Sequence, residues 1–152
     1  MRLQNNKNLN QTKKIGFTFD GKKYYGFEGD TLASALLSNG VHLFGRSFKY
    51  HRPRGIISAG CEEPNAIVQL EMNEFTEPNR RATEIVLYEG LVANSQNRWP
   101  SLNYDFGAIN DLLSPFFPAG FYYKTFMWPP KFWKTYEYFI RRAAGLGHAP
   151  KK

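Results

Sequence analysis

The sequence predicts an α+β fold, a small sheet with one packed helix followed by an aromatic-rich, partly helical extension. Three observations carry this. Ile15, Phe17 and Phe19 alternate with Gly16 and Thr18 at strand period, and Asp20-Gly21 follows them as a two-residue hairpin signal. Residues 32–40, LASALLSNG, place apolar side chains at helical spacing. From Asn94 onward the composition shifts to aromatic residues and prolines.

Taken in order, residues 1–14 are rich in Asn, Gln and Lys and read as a disordered polar tail. The first strand starts at Ile15, and its return strand runs from Lys22 to Phe27. Asp30 or Thr31 can cap the first N–H groups of the helix. Leu32, Ala35 and Leu36 share one helical face, and Gly40 suits the left-handed position just past the helix end. Ala66 to Met72 reads as an apolar strand, Glu74 to Arg81 as a polar connection containing Pro78, and Thr83 to Tyr88 as another strand closed by the Glu89-Gly90 turn. Leu91 to Ala93 is a short last strand. Two strands, a helix across them and further strands make a β-grasp domain over residues 15–94.

The extension covers residues 95–152. Twelve of the chain's 25 aromatic residues lie between Phe116 and Phe139, so this stretch needs a cover that a small sheet does not supply. Pro118, Pro129 and Pro130 prevent one long helix. Pro129-Pro130 suits a helix's first turn. Phe132, Tyr136, Phe139, Ile140 and Ala143 then form one amphipathic face, ended by Gly145 or Gly147. Part of this arm is expected to pack on something outside the chain.

The 152 residues carry a net charge of +7, which favours a polyanionic partner or a cofactor phosphate. The single cysteine, Cys61, excludes an internal disulfide framework or a multi-thiolate site. The polar start has no apolar core like that of a signal peptide, and no run is long and apolar enough to span a bilayer, so the cytoplasm is the expected location. His42, His51 and His148 have no ligand spacing, and no context marks a nucleophile. No catalytic residue and no metal ligand is assigned.

The promising set lies in residues 45–68, GRSFKYHRPRGIISAGCEEPNAIV. Arg46, Lys49, His51, Arg52 and Arg54 fall among Phe48 and Tyr50 with no acid between them. Arginine offers a planar fork that grips phosphate oxygens in two places. In an extended chain alternate side chains point the same way, so Arg46, Arg52 and Arg54 would share a face toward the phosphate of a flavin or nucleotide held by a neighbouring domain. Two other readings compete. One is a basic loop that is solvated or paired with acids such as Glu62 and Glu63. The other is a stand-alone module that binds single-stranded nucleic acid through the basic, aromatic-interleaved loop 46–54. The clustering of basic residues in one loop weighs against nucleic acid.

The second half of that stretch resembles the loop of plant-type ferredoxins, where thiolates at C-x4-C-x2-C and a later cysteine hold a [2Fe–2S] cluster. On that pattern the ligand positions fall on Ser58, Glu63 and Ala66, with the fourth near Asn94, and none is cysteine. Cys61 lies out of register and is expected to be a small buried or half-buried residue. The strings GRSFKYHRPRGIISAGCEEPNA and SQNRWPSLNYDFGAINDLLSPFFPAGFYYKTFMWP resemble the N-terminal segment of the alpha subunits of heterotetrameric sarcosine oxidases. The resemblance covers roughly residues 15–150. Relatives in the wider group, such as hydrogen cyanide synthase subunits, keep the cluster cysteines.

The resemblance implies a ferredoxin-like domain without its cluster. It implies membership in a flavin-dependent oxidoreductase that converts sarcosine (N-methylglycine) to glycine, with folate as one-carbon acceptor and hydrogen peroxide as product. FAD, FMN and NAD are implied for the full complex, and no cofactor for this chain alone. The implied partners are the remaining alpha-subunit domains and the beta, gamma and delta subunits. A dinucleotide-binding domain is expected to follow. Within this chain Gly145-Leu146-Gly147 follows a helix, so it is not that domain's phosphate turn. The chain is expected to be a truncated piece or a split-gene form of the subunit.

Overall fold

The computed structural model describes residues 10–73, 75–116 and 128–143. Five strands form one sheet: β1 (Asn10–Phe19), β2 (Lys22–Glu28), β5 (Ile67–Met72), β6 (Phe75–Arg81) and β7 (Leu91–Ser95). Their spatial order is β2-β1-β7-β5-β6. β1 runs parallel to β7, with Phe17 opposite Leu91, and the other neighbours are antiparallel. Helix α1 (Leu32–Ser38) crosses between the first hairpin and the rest, which is β-grasp topology and an α+β fold.

The hairpin turn is made as its sequence demands. Asp20 and Gly21 both take positive φ, the conformation of a two-residue turn whose twist suits the flanking strands. Ile15, Phe17 and Phe19 face the core, with Leu32, Ala35, Leu36, Val68, Leu70 and Leu91. Thr31 caps α1 by accepting from the Ser34 N–H, while the Ser34 hydroxyl accepts from the Thr31 N–H. Gly40 is left-handed just past the helix end. Gly26 allows the helix to close on β2, because a Cβ there would sit 2.4 Å from Leu87 and 3.0 Å from Ala35.

Three sequence expectations change. β1 begins at Asn10, so part of the expected tail is strand, and residues 1–9 lie outside the described residues. Residues 75–81, read as a connection, form edge strand β6, and Pro78 sits where the pairing with β5 shifts register. A proline is tolerated there because an edge strand needs fewer donors. Residues 83–88, read as a strand, are irregular. Ile85 and Leu87 are buried on either side of a single antiparallel bridge between Thr31 and Val86, where the Leu32 N–H donates to the Ile85 carbonyl and the Leu87 N–H to the Asp30 carbonyl.

Beyond β7 come α2 (Ile109–Leu112) and α3 (Trp133–Ala143). Pro129 and Pro130 stand at the start of the 3₁₀ turn that leads into α3, as their sequence position requires. The expected arm residues Phe121, Tyr122 and Phe126 lie outside the described residues. No helix among the described residues is long and apolar enough to cross a membrane.

Candidate functional site: the basic hairpin and the 57–66 loop

The basic segment is a hairpin rather than one extended run. β3 (Gly45–Arg46) pairs with β4 (Pro53–Arg54), and residues 47–52 turn between them, with His51 at positive φ. Reversal of the chain sends the five basic side chains to different places.

Arg46 and His51 turn inward onto Asp105. His51 Nδ1 lies 2.7 Å and Arg46 Nε 3.4 Å from Asp105 Oδ2. Arg46 also donates to the carbonyls of Leu102, at 2.9 Å, and His51, at 2.8 Å. The other Asp105 oxygen accepts from the Trp99 N–H at 2.8 Å and the Gly107 N–H at 3.2 Å. Burial pushes the Asp105 carboxyl up, but the Trp99 bond, His51 with its charge, and the Gly107 bond outweigh this and hold it below the ordinary range. Gly107 lets the imidazole lie on the backbone, since a Cβ there would come 2.2 Å from His51 Nδ1.

Arg52, Lys49 and Arg54 stay nearer the surface. Arg52 Nε lies 2.7 Å from Asp111 Oδ1, with both side chains about half exposed. Lys49 and Arg52 both stand over the Tyr50 ring. Arg54 donates to Asn65 Oδ1. Arg46 and Arg54 also line a surface cavity of about 360 Å³ with Ser47, Asn65, Asn79 and Asn97. The sequence reading missed Asp105 and Asp111 as the partners. Asp105 followed by Gly107 at the head of a 3₁₀ turn is a capping signal, but capping alone does not say that a carboxylate's second oxygen meets a hairpin fifty residues back.

The loop after the hairpin has its own centre. Glu63 is fully buried. Its Oε2 accepts from the N–H groups of Ile57 at 2.8 Å and Ser58 at 2.7 Å, and its Oε1 from those of Asn65 at 2.7 Å and Ala66 at 3.0 Å. Burial pushes this carboxyl up, and the four backbone bonds outweigh burial and hold it below the ordinary glutamate range.

The donor set here does not fit an iron–sulfur cluster. The three ferredoxin ligand positions carry a hydroxyl, a carboxylate committed to four backbone bonds, and a methyl group, where the cluster needs thiolates. Cys61 is exposed in the 3₁₀ turn Gly60–Glu62, which corrects the expectation that it is buried or half-buried. Asn94, the expected fourth position, lies in β7 with its amide on Glu71, while Thr83 reaches the loop through its hydroxyl, which donates to the Gly60 carbonyl at 2.7 Å. Among the described residues no group of three or more His, Cys, Asp or Glu could hold a metal ion.

The chain is 67% identical to sarcosine oxidase subunit alpha of Rhizobium meliloti (strain 1021) over 136 residues, 89% of this chain and 14% of that protein. It is 42% identical to sarcosine oxidase subunit alpha of Corynebacterium sp. (strain U-96) over 91 residues, 56% of this chain and 9% of that protein. A crystal structure of L-proline dehydrogenase from P. horikoshii aligns with a TM-score of 0.42 and 25% identity, over 55% of this chain and 16% of that one. The chain thus spans about a seventh or less of the curated relatives it matches. Residues 12–98, more than half of the chain, match the family described as 2Fe-2S iron-sulfur cluster binding domain, and the chain belongs to that family.

Proposed function

We propose that this chain is a non-catalytic docking and cofactor-supporting segment of a sarcosine oxidase alpha subunit. The observation that carries the proposal is 67% identity to such a subunit over 89% of the chain. On this reading residues 15–94 are the β-grasp unit and residues 95–152 an arm leading to a dinucleotide-binding domain. The whole enzyme is cytoplasmic. It oxidises sarcosine to glycine with folate as one-carbon acceptor and hydrogen peroxide as product, using FAD, FMN and NAD bound outside this chain. Its beta, gamma and delta subunits and the rest of the alpha subunit are the partners. Complementation tests this. The Rhizobium subunit lacking its matching segment, co-expressed with its partner subunits and this chain, should regain assembly and sarcosine-dependent peroxide production. Assembly that ignores the added chain overturns the reading.

Within that function the hairpin of Arg46, Lys49, His51, Arg52 and Arg54 meets a cofactor phosphate at a domain or subunit boundary. Arg46 and His51, bound to Asp105, set the hairpin's shape, while Arg52, about half exposed beside Asp111, and Arg54, on the rim of the surface cavity, are the forks nearer the surface. Replacing Arg52 and Arg54 with Gln in the assembled enzyme should lower flavin or nucleotide occupancy. Unchanged occupancy returns the hairpin to a purely structural role. Arg46 and His51 are committed to Asp105, which leaves fewer cations than a run of phosphates needs, so single-stranded nucleic acid ranks second as a partner.

A further inference from the structure

We propose that residues 57–66 form a buried anion site whose occupant is the chain's own Glu63 carboxylate, standing where cluster-bearing members of the fold hold their iron–sulfur group, and that a small monocarboxylate takes its place once that side chain is removed. Backbone N–H groups that converge on a concavity bind anions, and iron–sulfur clusters are among the anions so held. A loop that keeps this shape but loses its thiolates is left with inward N–H groups and no acceptor. Buried donors without acceptors are costly, so the fold needs another anion at that point.

Glu63 meets the need from a ligand position of the ferredoxin pattern. Each carboxylate oxygen accepts two N–H bonds. Oε2 holds the limb that enters the loop, Ile57 and Ser58, and Oε1 holds the limb that leaves it, Asn65 and Ala66. The carboxylate therefore ties both limbs together, as a cluster does through its thiolates. Backbone dipoles, rather than a lysine or arginine, meet its charge. Thr83 closes the loop from the far side through the Gly60 carbonyl, and the Ala82 N–H donates to the Ala66 carbonyl. Ser58, at the first ligand position, has a buried Oγ with no hydrogen-bond partner among the described residues. The inference stands whether or not the chain docks in a sarcosine oxidase.

Chemical rescue of the full chain tests it. Glu63→Ala should lower the thermal midpoint. Formate should restore much of the loss, saturably, where chloride at equal ionic strength does not. The wild type and Glu63→Gln should not respond to formate, because their sites stay filled. A Glu63→Ala chain as stable as the wild type, or one that gains equally from both salts, overturns the proposal. A second measurement covers an alanine variant that does not fold. In the wild type the amide protons of Ile57, Ser58, Asn65 and Ala66 should shift together, with one midpoint, as the Glu63 carboxyl titrates in acid. Independent behaviour of the four overturns the proposal. Iron and sulfide added anaerobically to the wild type should give no charge-transfer bands, and bands that track bound iron overturn it.

Discussion

His51 Nδ1 and Asp105 Oδ2 lie 2.7 Å apart, and this contact fastens the basic hairpin to the segment that follows β7. The two residues are far apart in sequence and belong to different elements. Asp105 has no exposed side-chain surface, and Arg46 and His51 have little, so the three form a buried polar group around the Asp105 carboxylate, held by backbone bonds as well as by each other. Removing one partner from such a group leaves the others uncompensated, which typically costs about 3–5 kcal/mol. Asp105→Asn keeps the shape and removes the charge. It should lower the unfolding free energy of the chain by roughly 3 kcal/mol in denaturant titrations. A loss below about 0.5 kcal/mol, the usual size of a surface substitution, would show that the pairing is incidental.

Acid should act on the same group and on Glu63. Both carboxyls titrate in the folded chain below their ordinary values of 3.8 and 4.5. A group lowered in this way stabilises the fold above its unfolded value, and that stability is lost as pH falls through the folded value. Stability should therefore decline on acidification through and below the ordinary carboxylate range. Urea midpoints measured at stepped pH check this. Glu63→Gln and Asp105→Asn should each flatten the decline. A midpoint that holds or rises toward acid would contradict it.

Gly107 supports the imidazole by having no side chain. Gly107→Ala places a methyl group 2.2 Å from His51 Nδ1, so the ring or the 3₁₀ turn must move. Overpacking of this kind costs about 1–3 kcal/mol. The cause is separable by a double-mutant cycle. In a His51→Ala background the same change should cost much less, and strict additivity would place the strain elsewhere.

How far the sequence foretold this arrangement depended on how local each signal was. The Asp20-Gly21 turn and the Gly40 stop are fixed within a few residues and fall where the pattern put them, and the cap falls on Thr31, one of the two residues the pattern allowed. β6 was hidden because Glu77, Pro78, Asn79, Arg80 and Arg81 look like a loop, and only an edge position makes them acceptable in a strand. Ile85 and Leu87 misled in the opposite direction, since one isolated bridge at Val86 produces the same alternation as a full strand. The basic stretch declared its charge but not its turn. Asp105 and Asp111 lie some fifty to sixty residues away, and tertiary contact alone brings them to it. Glu63 was legible as a ligand position lacking cysteine, while its four backbone bonds depend on a loop shape that no spacing rule supplies.

The surface beyond β7 gives the last prediction. Trp99, Tyr104, Phe106 and Leu112 are 67%, 82%, 67% and 80% exposed, and the Trp99 and Phe106 rings pack against each other, 5.2 Å apart, rather than into the core. Trp128 and Phe139 in the later arm are 76% and 62% exposed. Apolar surface in water forgoes about 25 cal/mol per Å². Large apolar side chains left in water over one segment mark contacts with other molecules. Within the proposed function the cover is the rest of the alpha subunit or an adjoining subunit. The isolated chain should therefore self-associate or bind a hydrophobic dye. Tyr104→Ser with Leu112→Ser should reduce both without lowering the unfolding midpoint, because neither side chain is buried in the fold. Gel filtration and dye fluorescence read the outcome, and a monodisperse monomer that leaves the dye dark would refute it.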